Sequence, residues 1–231
     1  MLTISDLHSG YGDLVILHGV TAEVAPGEIV SVLGHNGVGK TTLMRSIIGL
    51  LQPLRGEIHI DGQSTRGLRP YEVARRGIAY IPQEAALFPD LTVQDNLRVA
   101  LPDRRQFDRA CDRALRHFPF LRERYQQRAG TLSGGQQKML LVARALLSDP
   151  RLILADEVTE GVQPSQIDRI GEALSDVNQQ QGTTIVLIEQ HLDFALGLAG
   201  RFVVMKQGRV AAEGRTDAVA ARRTVEAELA L

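Results

Sequence analysis

Ile29-Val30-Ser31-Val32-Leu33-Gly34-His35-Asn36-Gly37-Val38-Gly39-Lys40-Thr41-Thr42 decides the fold. The apolar run Ile29 to Leu33 reads as a buried strand, and Thr42 to Leu50 has helical spacing. Between them, glycines at 34, 37 and 39 let the backbone curl so that its N–H groups point inward. The following helix presents its positive dipole end to the same place. Such a loop cradles phosphate: Lys40 reaches the β- and γ-phosphates of a nucleotide, and the Thr41 hydroxyl is suited to Mg²⁺. A Gly-rich turn alone says little; strand before and helix after supply the context the mechanism needs.

Residues 2–33 read as short strands, with Pro26-Gly27 as a turn between Val20–Ala25 and Ile29–Leu33. Gly56–Ile60 looks like a strand entering a tight turn at Asp61-Gly62, and Ile78–Gln83 a strand ending at Pro82. Residues about 90–130 hold many arginines and helical patterns but no clear strand, and read as an inserted helical subdomain. Gly135–Ser148 is a helix stopping before Asp149-Pro150. Leu152–Ala155 is a buried strand ending in Asp156-Glu157. A helix over Pro164–Gln180, a strand over Thr184–Glu189, a helix near Leu192–Ala199 and a hairpin about Gly208 complete the chain. Strands alternating with helices predict an α/β sheet.

The 231 residues predict one domain, 1–231, with that insertion inside it. A chain of this length buries roughly 70% of its unfolded surface and needs no staple. Its 44% hydrophobic and 23% charged residues are ordinary for a globular protein, and a formal net charge of -1 argues against a nucleic-acid partner. The lone Cys111 permits no intrachain disulfide, which fits a reducing compartment; neighbouring arginines would lower its pKa, but no base or metal partner is visible. Met1 to Asp6 lack the basic and apolar regions of a signal peptide. No apolar run approaches the ~20 residues of a membrane span, so a membrane role requires partner proteins.

Two further stretches carry chemistry. Asp156 and Glu157 end a buried strand, where ligands bind in α/β sheets. Asp156 suits the Mg²⁺ shell, and Glu157, pointing elsewhere, can accept a proton from an attacking water. Leu132-Ser133-Gly134-Gly135-Gln136 is a Gly-rich turn before a helix, placed to hold a second anion.

Together these runs resemble the motifs of ATP-binding-cassette (ABC) ATPases, in the family's order and over nearly the whole chain. The resemblance implies a phosphate-loop ATPase core with an N-terminal antiparallel β subdomain and an inserted α-helical subdomain. It implies ATP and Mg²⁺ as cofactors. Gly34, Asn36, Gly37, Gly39, Lys40, Thr41 and Thr42 would then hold the nucleotide, Tyr11 would stack on adenine, and Thr41, Gln83 and Asp156 would hold the metal. Glu157, Gln83 and Gln190 would form the catalytic set. Ser133, Gly134, Gly135 and Gln136 would grip the γ-phosphate of ATP bound to a partner subunit.

The chain departs from the family at three places. Val158 replaces the usual proline after Asp-Glu, which loosens that turn; Gln163 replaces an aspartate; and Gln190 aligns with the switch histidine, with His191 one place later.

Thr159-Glu160-Gly161-Val162-Gln163-Pro164-Ser165 resembles the second ATPase of branched-chain amino-acid importers, and still more that of urea or amide importers. Implied partners are a second ATPase subunit, identical or paralogous, two membrane permeases and, indirectly, a periplasmic solute-binding protein. The implied location is peripheral, on the cytoplasmic face of the plasma membrane. The competing reading is an ABC-type ATPase acting on nucleic acid or ribosomes. Against it stand the single cassette, the absence of sustained heptads and the lack of a basic excess. A metabolite kinase leaves the Leu132–Gln136 run unexplained.

Overall fold

A computed structural model of the chain describes residues 1–83, 86–101, 104–217 and 219–230, with the side chains of 104 and 105 left aside. It has two sheets. The first joins β1 (Leu2–Tyr11), β2 (Leu14–Val24), β4 (Arg55–Ile60) and β5 (Gln63–Ser64), all antiparallel, in the order β2-β1-β4-β5. The second runs β10-β9-β3-β8-β7-β6, from β3 (Ile29–Leu33), β6 (Ile78–Ile81), β7 (Leu152–Asp156), β8 (Thr184–Ile188), β9 (Arg201–Lys206) and β10 (Arg209–Arg215). All its pairings are parallel except β10 with β9.

Side-chain alternation explains why β3, β7 and β8 read as unbroken apolar runs. Ile153, Ala155, Ile185 and Leu187 face one core, shared with α6 (Gly134–Leu147) and α7 (Pro164–Gln181). Val30, Val32, Leu152, Leu154, Val186 and Ile188 face the other. That second core holds α1 (Lys40–Ile47) and the inner face of the antiparallel sheet; α2 (Pro70–Ala74) touches it through Val73. Both faces of the strands are covered, and Ser31 in β3 stands out there as a fully buried hydroxyl that makes no hydrogen bond among the described residues.

Between β6 and α6 lie α3 (Val93–Ala100), α4 (Arg104–Ala114) and α5 (Phe120–Glu123). This helical stretch closes on itself: Thr92 pairs with Arg128, Val93 N–H donates to the Gln127 carbonyl at 2.9 Å, and Ala129 N–H to that of Leu91 at 2.9 Å. Phe107, Cys111, Leu115 and Phe118 pack beneath it against the α6 side of the core. At the far end, α8 (Leu192–Leu198) and α9 (Ala221–Leu229) cover β9 through a small third cluster. Among the described residues, no helix is long and apolar enough to cross a membrane.

The amino-terminal strands are ten and eleven residues long, not short as the sequence suggests. Register shifts near Ile4, Leu7 and Ser9 break the two-residue periodicity that would have marked a continuous strand. Neither α2 nor α9 is anticipated by the sequence reading. α2 has five residues, and α9 has Ala220 as its N-cap, which offers no side-chain cap.

Candidate active site

Four loops at the carboxyl ends of neighbouring parallel strands build the site. β3 leads into Gly34–Gly39, β8 into Glu189-Gln190, β7 into Asp156-Glu157 and β6 into Gln83. Open α/β sheets bind ligands at this edge.

Gly39 precedes α1 with φ 106°, where a side chain is strained, and a Cβ there would lie 2.8 Å from Leu17 Cδ2. Lys40, buried, donates from Nζ to the carbonyls of Gly34 at 2.7 Å and His35 at 2.9 Å. Burial pulls its ammonium pKa down, opposed by the carboxylates of Glu157 and Asp156. Thr41 Oγ1 donates to Asp156 Oδ1 at 3.4 Å, and the Tyr80 hydroxyl to Asp156 Oδ2 at 3.4 Å. Burial pushes the Asp156 carboxyl up, against the pull of the Thr41 hydrogen bond. A hydroxyl beside a buried carboxylate is a hard oxygen donor set, which fits Mg²⁺.

Glu157 has φ 49°, a left-handed conformation unusual for a residue with a side chain, and its N–H donates to the Ile188 carbonyl at 2.9 Å. Its carboxylate receives two carboxamides: Gln83 Nε2 on Oε2 at 2.8 Å and Gln190 Nε2 on Oε1 at 2.9 Å. Gln83 also donates to Glu160 Oε2 at 3.1 Å, and Gln190 to Asn36 Oδ1 at 2.9 Å. The three candidate catalytic residues therefore meet at one carboxylate. Gln83 hydrogen-bonds Glu157 and lines the same cleft as Thr41, whose own hydrogen bond goes to Asp156.

A cleft of about 340 Å³ runs past these groups, lined by Tyr11, Asn36, Lys40, Thr41, Gln83 and Glu157, with Gly37, Gly39 and Thr42 in its floor. Tyr11 is 41% exposed at the edge, and Arg45 Nη1 donates to its hydroxyl at 3.0 Å. The candidate Ser133–Gln136 is not among the residues lining that cleft. Ser133 caps α6: Gln136 N–H donates to Ser133 Oγ at 3.4 Å, and Ser133 N–H to Gln136 Oε1 at 3.1 Å. Ser133 and Gly134 face outward.

The departures have structural readings. Val158 is fully buried in the core, and Thr159 beside it donates to Glu189 from N–H at 3.0 Å and from Oγ1 at 2.6 Å. The turn is pinned, contrary to the loosening expected without proline. Burial pushes the Glu189 carboxyl up, and the Thr159 bonds restrain it. Gln163 is the exposed N-cap of α7 with no side-chain cap bond. The His191 ring caps α8, accepting from Phe194 N–H at 3.2 Å, whereas Gln190 is the residue that touches Glu157. Cys111 runs against expectation: its thiol is buried, and burial pushes the pKa up.

Sequence reading missed three participants: Arg45, Glu189 and Lys138. Lys138 Nζ donates to the carbonyls of Gln83 at 2.6 Å and Glu157 at 3.2 Å. Only the periodicity of α6 marked it, as one more helical residue.

The sequence model of the ABC transporter family matches residues 17–160. The chain is 40% identical over 212 residues to the high-affinity branched-chain amino acid transport ATP-binding protein BraG of Pseudomonas aeruginosa, covering 91% of each chain. It is 30% identical to BraF of the same organism, another high-affinity branched-chain amino acid transport ATP-binding protein, covering 95% of this chain and 93% of that one. Its fold matches a dimeric ATP-binding cassette in a post-hydrolysis state with ADP and phosphate, at TM-score 0.81 and 27% identity, over 94% of this chain and all of that one. The chain belongs to the ABC transporter family of ATP-binding subunits. It is an ATPase that binds ATP.

Proposed function

We propose that residues 1–231 form one nucleotide-binding domain, with about 90–130 as its inserted helical subdomain, powering a bacterial importer of branched-chain amino acids from the cytoplasmic face of the membrane. The observation that carries the chemistry is the meeting of Gln83 and Gln190 on the Glu157 carboxylate, beside the Thr41–Asp156 pair. The solute class is supported by 40% identity to a branched-chain amino acid transport subunit.

In this reading the loop amides and Lys40 hold the β- and γ-phosphates of ATP, and Tyr11 stacks on adenine. Thr41 and Asp156, with Gln83 beside them, would hold Mg²⁺, which when bound would supply positive charge against the phosphate oxygens. Gln83 and Gln190 orient the Glu157 carboxylate, which takes the proton from a water attacking the γ-phosphorus. Ser133, Gly134 and Gly135 complete the site of a second cassette by offering small residues at a helix N-terminus to its γ-phosphate. Two cassettes closing head to tail around two ATP molecules move the helical insertions, and those push on two permease subunits. Identity of 40% to BraG and 30% to BraF, two subunits of one organism, favours a paralogous partner over a second copy.

Glu157→Gln in the assembled transporter tests the base: we expect ATP turnover to fall at least about 100-fold with ATP binding retained. Near-normal turnover removes the assignment. The run Thr159-Glu160-Gly161-Val162-Gln163-Pro164-Ser165 favours a second reading of the solute, urea or an amide. Uptake of labelled leucine and urea by cells with and without the chain separates the two. Loss of leucine uptake alone supports the first reading, and loss of urea uptake alone the second.

A further inference from the structure

We propose that Lys138 is a positioning residue for ATP hydrolysis, its ammonium clamping the backbone carbonyls of Gln83 and Glu157 and so holding the Glu157 carboxylate in place. The inference rests on the reading of Glu157 as the base.

Lys138 lies in the first turn and a half of α6, four residues after Gly134. Its Nζ spans two carbonyls from different loops, at 2.6 Å for Gln83 and 3.2 Å for Glu157. Those loops follow β6 and β7, so the clamp fastens the start of α6 to both strand ends. Among the described residues the other donor to the Glu157 carbonyl is the Glu160 N–H, at a long 3.4 Å.

The backbone at Glu157 needs such a hold. At φ 49° it is in a region that residues with side chains adopt only when their surroundings fix them. The N–H is fixed by the Ile188 carbonyl at 2.9 Å, and the cation fixes the other end of the residue. With both peptide groups anchored, the carboxylate is delivered to Gln83 and Gln190 without a search. A charged donor makes a stronger bond to a carbonyl than a neutral one.

Lys138 reaches Glu157 from behind. It lines a groove of about 350 Å³ with Leu87, Pro89, Leu141 and Glu160, and is not among the residues lining the nucleotide cleft. Gln83 lines both. The cation thus supports the base without touching the reacting atoms.

The test measures kcat, KM and direct ATP affinity for the full chain in its assembled transporter. Lys138→Met keeps the stem and removes the donors; kcat is expected to fall roughly 10-fold or more while KM and ATP affinity stay within about twofold. Lys138→Arg keeps the cation and recovers kcat to within about threefold of the parent. Lys138→Gln, with a neutral donor, falls between and serves if the Met variant does not fold. On a Glu157→Gln background, Lys138→Met adds less than about twofold, because its effect passes through Glu157. A kcat within twofold of the parent for Lys138→Met overturns the proposal, as does a loss that multiplies with that of Glu157→Gln. Normal turnover by Glu157→Gln overturns the base assignment instead, so the two failures are distinct.

Discussion

The loop at Gly34–Thr41 and the turn at Leu132–Gln136 are both Gly-rich helix N-termini, yet they are held in opposite ways. The loop is bound into its own chain. Lys40 is buried under it, Thr41 bonds to Asp156, and Asn36 receives Gln190. The turn satisfies itself: Ser133 and Gln136 exchange hydrogen bonds, and a Cβ built on Gly134 meets nothing within 4 Å. The difference separates a surface finished by its own chain from one that its own chain leaves open, which under the proposed function a second cassette completes. A residue crowded by its own fold reports on that fold when changed. A residue in open space reports on whatever comes to it.

That contrast is open to attack from both sides. Lys40→Met should lower kcat/KM for ATP by roughly 100-fold, through loss of a charged contact to phosphate. Unchanged kinetics would remove the loop's cation from the mechanism. Gly134→Val has room in its own chain, so its melting temperature should stay within about 2 °C and its intrinsic ATP affinity unchanged. Turnover of the assembled pair should nevertheless fall roughly 10-fold or more, since a partner's phosphate can no longer approach. Full turnover would leave the turn as a helix cap and nothing else. Tyr11→Ala should weaken ATP binding by about 2- to 12-fold, the range for an aromatic stacking contact. Titration with ATP settles that, and an unchanged affinity ends the stacking role.

The smallest effect lies at the end of β3 away from the loop. Glu28, just before β3, accepts from Arg201 Nε at 2.7 Å. Burial raises the Glu28 pKa, but the Arg201 hydrogen bond, the Ala25 N–H and the nearby positive charge outweigh it, and the net shift is downward. A depressed folded pKa gives stability that is present above the unfolded value of 4.5 and lost as pH falls through the folded one. Glu28→Gln should therefore cost about 1 kcal/mol near neutral pH and nothing in strong acid. Urea melts at the two pH values check it; an equal loss at both would mean packing, not charge.

Local pattern made the core sheet legible. Strands buried on both faces show as apolar runs, and a phosphate loop declares itself through Gly39 and Lys40. The antiparallel sheet was harder, because shifts of register near Ile4 and Leu7 interrupt its alternation. The site was legible in its ends and not in its joins. Nothing local says that Gln190 will meet Glu157, since β7 and β8 become neighbours only through the intervening α7 crossover. The resemblance put both residues in one catalytic set without bringing them into contact; sheet order supplies the contact. Lys138 left no signal, because its bonds go to backbone carbonyls that any residue at 83 and 157 would present.

Cys111 is the chain's only cysteine, and it is 1% exposed, with burial holding its thiol protonated. A thiol so buried is a poor target for a thiol-reactive dye. A cysteine added on the exposed turn near Gly134 and another at the rim of the cleft can be labelled without first removing Cys111. Two such fluorophores, one on each of two copies, would convert the approach of turn to loop into a distance read in real time.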